Sequence, residues 1–315
     1  MMSISRLFGA AFLCLGVFAQ TAAAQDGHKT LGLTSFFAND GIGDGIVKFP
    51  SDGANDRWRS AGVGVHAVRG ESWSGSLPML PFEIIEYRFR LEVMAPDNLR
   101  RPDSDDRLFA GSLWAGAHTH LAWRGFEVTA GADLVITGEQ SGVRRLQANI
   151  YDWLGESEVN VEDHQVDDGI YLHGTGELAK TMALGWGELR PFFEVQAGVE
   201  NLLRVGADLT VGGLGQGGLR IREPITGQRI ASISTIADGG WSFLAGADVA
   251  FVARSIFLPE SRGYTVEPMR YRLRAGANYG FANRNLFYGL TYMSEEFSAQ
   301  TEGQFLGTIS LMRRF

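Results

Sequence analysis

One cysteine, three lysines and nine prolines are all that the 315 residues hold of these types. The cysteine, Cys14, falls within the first 24 residues, so no disulfide framework holds the remainder together. Beyond residue 24 no run of ~18 apolar residues occurs, which rules out a helical membrane span. Basic excess is absent too: the net charge is −8, and an acidic total argues against non-specific nucleic-acid binding. What is abundant is glycine, 41 residues without a collagen period, alongside 45% hydrophobic residues, too many for a disordered chain. At the start, Arg6, the apolar stretch from Leu7 to Ala19 and Ala22-Ala23-Ala24 have the order of a secretory signal. The expectation is a signal peptide over 1–24, export, and one folded unit over 25–315.

Period-2 alternation runs the length of that unit. Ile85, Tyr87, Phe89, Leu91 and Val93 alternate with Glu86, Arg88, Arg90 and Glu92; from Met269 to Phe281 an apolar odd set alternates with Arg270, Arg272 and Arg274. One face suits hydrocarbon and the other water. Twelve such segments can be counted: 30–38, 58–68, 82–94, 108–121, 123–137, 170–183, 189–200, 204–213, 241–253, 267–281, 286–294 and 305–315. Most are long enough to cross a bilayer when tilted, and in lipid only a closed barrel satisfies every strand. Trp58, Trp114, Trp123, Trp241, Tyr271, Tyr279, Tyr288 and Tyr292 lie near strand ends, as interfacial girdles would. The fold expected is all-β, a transmembrane antiparallel barrel of about 12 strands. Inward Arg and Glu would crowd so narrow a lumen, which disfavours a general porin.

One segment departs from this period. Val143, Leu146, Ile150, Trp153 and Leu154 recur at three and four, the stripe of a short amphipathic helix within 139–155, between the fifth and sixth strands, stopped by Gly155. At the other extreme the chain ends on a strand at Phe315, with Leu311, Ile309 and Phe305 before it. A terminal strand of this kind is the signal that the barrel-assembly machinery reads in outer-membrane barrels.

Four blocks in order resemble one family. Phe37-Ala38-Asn39-Asp40 with Asp56-Arg57-Trp58-Arg59-Ser60, then Ala95-Pro96-Asp97-Asn98-Leu99, then Asp105-Asp106-Arg107-Leu108-Phe109-Ala110-Gly111, then Thr137-Gly138 with Gln147-Ala148-Asn149-Ile150-Tyr151, are similar to motifs of the lipid A deacylase LpxR family. The resemblance implies a monomeric barrel in the bacterial outer membrane that acts on lipid A within lipopolysaccharide. There it would remove the 3′-linked acyloxyacyl group by calcium-dependent ester hydrolysis. It also implies that Asn39 and Asp40 form the Ca²⁺ site, that Ser60 matches the family's Thr/Ser, and that Tyr151 occupies the place of the helix histidine that activates water. By alternation, Ser60 and His66 should share an inward face.

A phenol of pKa about 10 is a poor general base near neutral pH. Activity therefore needs Tyr151 or a substitute, with Asp152, His164, His118 and His120 as alternatives. Otherwise the protein is a catalytically inactive barrel of the same fold with a lipopolysaccharide-binding or envelope-structural role. The family's active-site lysine has no counterpart among Lys29, Lys48 and Lys180. Asp40, Asp44, Asp52 and Asp56 have calcium-ligand composition without EF-hand spacing, and Gly212–Gly218 reads as a flexible turn.

Overall fold

The computed structural model describes residues 27–44, 57–99, 102–103, 105–154, 161, 164–235, 239–281 and 283–315, with only the backbone path for Asp44 and 150–154. The expected signal segment and Asp52 and Asp56 lie outside the described residues. The strands are β1 (Lys29–Asn39), β2 (Trp58–Gly70), β3 (Ile84–Ala95), β4 (Ala110–Trp123), β5 (Phe126–Thr137), β6 (Gly169–Ala179), β7 (Met182–Leu184), β8 (Gly187–Ala197), β9 (Glu200–Gly212), β10 (Leu219–Arg222), β11 (Arg229–Ile233), β12 (Gly240–Ser255), β13 (Met269–Phe281), β14 (Arg284–Met293) and β15 (Gln304–Arg314). Two helices join them, α1 (Asp40–Asp44) and α2 (Val143–Leu154).

Twelve strands close into an antiparallel barrel: each pairs with its neighbour, β6 pairs directly with β8, and β1 pairs with β15 to complete the ring. β7 merely extends the β8 hairpin, and β10 with β11 forms a separate two-stranded ribbon. Both described ends of the chain lie at one rim, with two-residue turns after β4 and β13; the long connections after β1, β3, β5, β12 and β14 gather at the other rim.

Alternation decides which way each residue points. On β13, Arg270, Arg272 and Arg274 are buried in the lumen while Met269, Tyr271 and Leu273 are exposed on the wall. Near the chain-end rim Trp241 stacks on Phe243 and packs against Tyr279, which stacks on Phe281; near the far rim Tyr271, Tyr292 and Phe305 form a second band. Two of the aromatic residues expected in these bands are instead interior. Trp114 belongs to the inward set of β4, lying under the Arg90 guanidinium at 3.7 Å, and Trp58 is buried with φ 54° under Arg57.

The lumen is filled. After β9 the chain turns back into the barrel from the chain-end rim, and the β10–β11 ribbon lies against the inner wall. Thr34 Oγ1 donates to the Ala231 carbonyl at 2.9 Å, and a Cβ on Gly32 would sit 1.8 Å from the Ser232 carbonyl oxygen, so only glycine allows this approach. Ile221, Ile225, Ile230 and Ile233 pack on Phe36, Leu244, Phe287 and Met312, which explains apolar residues on an inward face. Arg222 ties the ribbon to Glu177 (2.6 Å) and Asp208 (2.8 Å). At the far rim a second apolar layer contains Trp58, Leu108, Val166, Phe257, Tyr264 and Phe297.

Between the two apolar layers runs an ion-pair network. Glu296, in the β14–β15 loop, accepts from Arg59 Nε (2.5 Å) and Arg107 Nη1 (2.7 Å) and lies 3.6 Å from Arg270. Burial alone would raise its carboxyl, but Arg59, Arg107 and Arg270 outweigh that and hold it below the ordinary carboxylate range. Its folded value is depressed, so its stabilisation is complete above the unfolded pKa of about 4.3 and fades as pH falls below that. Removing this acceptor takes away the carboxylate paired with the buried Arg107, while Arg59 and Arg270 keep Glu200; breaking a buried pair in this way costs about 3–5 kcal/mol. Glu296→Ala is therefore expected to lower the temperature at which the folded band disappears in heat-modifiability gels, whereas Glu302→Ala, whose carboxylate is half exposed, should leave it unchanged.

Candidate active site

At its far end β1 delivers Asn39, which belongs to the outward-facing odd set with Leu33, Ser35 and Phe37. Its Nδ2 donates to the Ser60 carbonyl at 3.0 Å, joining β1 to β2. Next in sequence, Asp40 opens α1. Its Oδ1 accepts the Gly41 N–H at 2.7 Å and its Oδ2 the Arg57 N–H at 3.0 Å, so the carboxylate is fixed by backbone from both sides of the β1–β2 loop. α1 can lie on β15 because the contact is between glycines: a Cβ on Gly43 would meet the Phe305 carbonyl at 2.7 Å, and one on Gly307 would meet Ile42 at 2.5 Å.

Ser60 sits at a β-bulge, where the register with β3 shifts between Arg59 and Ala61. The bulge interrupts the alternation at Ser60, the extra residue of β2. It turns Arg59 into the lumen network, where its Nη1 donates to Glu92 at 2.8 Å. The Ser60 hydroxyl is buried with no hydrogen-bond partner among the described residues. Trp58, two residues before it, carries left-handed strain that is rare for a non-glycine residue, and strain of this kind gathers at functional sites.

The register then links this corner to the helix. Asn39 pairs with Ala61, Ala61 with Val93 and Val93 with Gly111, a single row across the outer face of β1 to β4. At the end of the row α2 packs on β3 and β4, and its first residue, Val143, would meet a Cβ on Gly111 at 2.9 Å. Asn39 and the start of α2 thus stand at the two ends of one row on the lipid-facing side of the wall, about three strand spacings apart. Tyr151 lies in the third turn of α2, and its side chain, like that of Asp152, is outside the described residues.

The alternative bases separate clearly. His118 and His120 face the lumen, bonded to Asp133 (3.1 Å) and Glu86 (2.7 Å), and His66 shares Glu86 at 2.6 Å. His164 lies in the β5–β6 connection beside the start of β4: its carbonyl accepts the Phe109 N–H at 2.9 Å, and its Nε2 is buried without a partner among the described residues. Sequence reasoning missed Arg59 and Arg107 as a pair sharing Glu296. Arginines within Asp-Arg motifs read as surface charge, and only the closed ring brings residue 296 to them. Asp106 is a clasp, accepting the Arg107 and Asp97 N–H groups, with burial pushing its carboxyl up.

A hard cation fits this donor set. The Asp40 carboxylate, the Asn39 amide oxygen and the buried Ser60 hydroxyl are all-oxygen ligands of the type calcium takes, with a single carboxylate among them. No group of three or more His, Cys, Asp or Glu with metal-site geometry exists among the described residues.

A family model described as outer membrane protein LpxR matches residues 7–315. LpxR from Salmonella typhimurium is similar in structure, with TM-score 0.73 and 16% identity over 90% of this chain and 100% of that one. The β domain of the Bordetella autotransporter Brka (TM-score 0.44, 12% identity, 92% and 100% covered) and the COG4313 outer membrane channel from Pseudomonas putida F1 (TM-score 0.42, 12% identity, 94% and 98% covered) match more distantly. No curated protein sequence matches the chain.

Proposed function

The chain belongs to the LpxR family of outer-membrane proteins, and on that footing we propose that it is a lipid A-modifying ester hydrolase, a deacylase that releases an acyloxyacyl chain from lipid A. One observation carries the reading: Asn39 and α2 stand at the two ends of one row on the lipid-facing wall, while the lumen behind it is filled, and the space along that row is the cleft proposed. An ester at the root of an acyl chain can enter such a cleft directly from the bilayer.

Asn39 Oδ1, the Asp40 carboxylate and Ser60 Oγ would hold a calcium ion, which when bound supplies positive charge to polarise the ester carbonyl. The Gly41 and Arg57 N–H groups keep Asp40 aimed, and the Ser60 carbonyl keeps Asn39 aimed. Either Tyr151 or His164 accepts the proton of the attacking water as the ester C–O bond breaks to acid and alcohol. Mass spectra of lipid A from Gram-negative cells with and without the protein, in calcium or chelator, test this. The expected result is a calcium-dependent loss of one acyloxyacyl mass that Asp40→Ala abolishes. The phenol at position 151 favours a second reading, an inactive barrel that binds lipopolysaccharide, and unchanged spectra in every condition would select it.

A further inference from the structure

Among the described residues, the far rim is lowest on the side of the barrel away from α2. β8 and β9 are joined by Gly198 and Val199 alone, between connections of 31 residues (138–168) and 13 residues (256–268). β6 first pairs with β8 at Gly174, so Gly169 to His173 rise above the turn on one side. On the other side Ser255 pairs with Glu200 and the Ile256 N–H bonds the Val199 carbonyl at 3.0 Å. Above the turn is a cavity of about 450 Å³ lined by Tyr171 and Leu258 together with Arg254, Arg262, Asp167 and Glu260. Arg254 is exposed and forms no ion pair among the described residues. Arg262 meets Asp167 at 2.8 Å in a pair whose side chains are 41% and 81% exposed. On that low side the outer face of β6 presents Ile170 and Leu172, 65% and 71% exposed.

We propose that this notch is a second lipid site, separate from the cleft at Asn39, that takes the phosphoryl headgroup of an acylated lipid of the surrounding leaflet. Guanidinium forks match phosphate oxygens, and an exposed arginine–aspartate pair is worth little in water, so Arg262 turns to phosphate at small cost. The sequence of groups along the wall matches the amphiphile, with the cations and the polar cavity at the rim and Ile170 and Leu172 on the lipid-facing wall beside it. A soluble anion would have no use for that apolar step, which commits the site to a lipid rather than free phosphate.

The proposal concerns binding and stands whether or not the chain hydrolyses esters. Full-length protein in detergent, titrated with bisphosphorylated lipid A or with the same lipid dephosphorylated, is read by native mass spectrometry as bound lipid per barrel. An Asp40→Ala background removes turnover from the reading. Arg254→Ala with Arg262→Ala is expected to weaken retention of the phosphorylated lipid at least about tenfold, from the loss of charge-assisted hydrogen bonds, and to leave the dephosphorylated lipid unaffected. Ile170→Asn should weaken both lipids. Both arginines are exposed, so heat-modifiability confirms that the variants fold. Equal retention of phosphorylated lipid by a folded double variant overturns the site, as does displacement of the lipid by millimolar inorganic phosphate.

Discussion

Replacing Tyr151 with His should raise calcium-dependent release of the acyloxyacyl chain by about 10²–10⁴-fold, the range a positioned general base supplies. The reasons lie in what is already built. Asp40 is clasped by two backbone N–H groups, Asn39 is fixed on the Ser60 carbonyl, and the Ser60 hydroxyl is buried without a hydrogen-bond partner among the described residues. α2 is anchored by the Val143–Gly111 contact at one end of the same row, and residue 151 lies eight residues further along, about 12 Å at helical rise. Oxyanion-stabilising parts contribute roughly 3–4 kcal/mol in other hydrolases and are wasted without a base. An imidazole with pKa near 6.5 accepts a proton at neutral pH where a phenol does not. Initial rates of fatty-acid release from defined lipid A, in calcium and in chelator, measure the gain. Adding Asp40→Ala should erase it. If Tyr151→His changes nothing while His164→Ala abolishes wild-type release, His164 is the base.

The barrel was legible because its rule is local: a strand between lipid and a polar lumen must alternate, and twelve segments did. The predicted helix was legible for the same reason, since a stripe at three and four within 139–155 fits neither face of a strand, and α2 occupies 143–154. Interior filling was not legible. Leu219 to Arg222 alternate like a wall strand and Arg229 to Ile233 do not, and four and five residues are too short to count as spans, while the glycines before them suggest a loose turn. At the site, Asn39 and Asp40 were found by motif, but their face was not. A bulge adds one residue, and one residue reverses every later side chain, so Ser60 could not be oriented from parity. The Arg59–Glu296–Arg107 cluster needed contacts between residues 189 and 237 positions apart. No periodicity reports such pairs.

Excising residues 214–238 and closing Gly213 to Gly239 with a short Gly-Ser turn should convert a silent barrel into one that conducts ions. The join is geometrically easy, because Gly212 already pairs with Ser242 across β9 and β12. What leaves is the ribbon that fills the chain-end half of the lumen: the packed Ile221, Ile225, Ile230 and Ile233, the Arg222 bridge to Glu177 and Asp208, and Gln228, whose Nε2 donates to the Leu290 carbonyl at 3.0 Å. Phe36, Leu244, Phe287 and Met312 would then face water, at roughly 1.5–3 kcal/mol for each large side chain, so the thermal midpoint should fall. The ring of strands keeps all its hydrogen bonds and has no edge, so a folded, heat-modifiable band should persist at moderate temperature. Opening is incomplete while the apolar layer at the far rim remains, and Phe257→Ser with Phe297→Ser, which loosens that layer, should add to the conductance of the excised barrel. Planar-bilayer recordings of the parent, the excised barrel and the combined variant decide the matter. A parent with large stable conductance, or a folded combined variant that stays silent, would contradict a lumen closed by the β10–β11 ribbon.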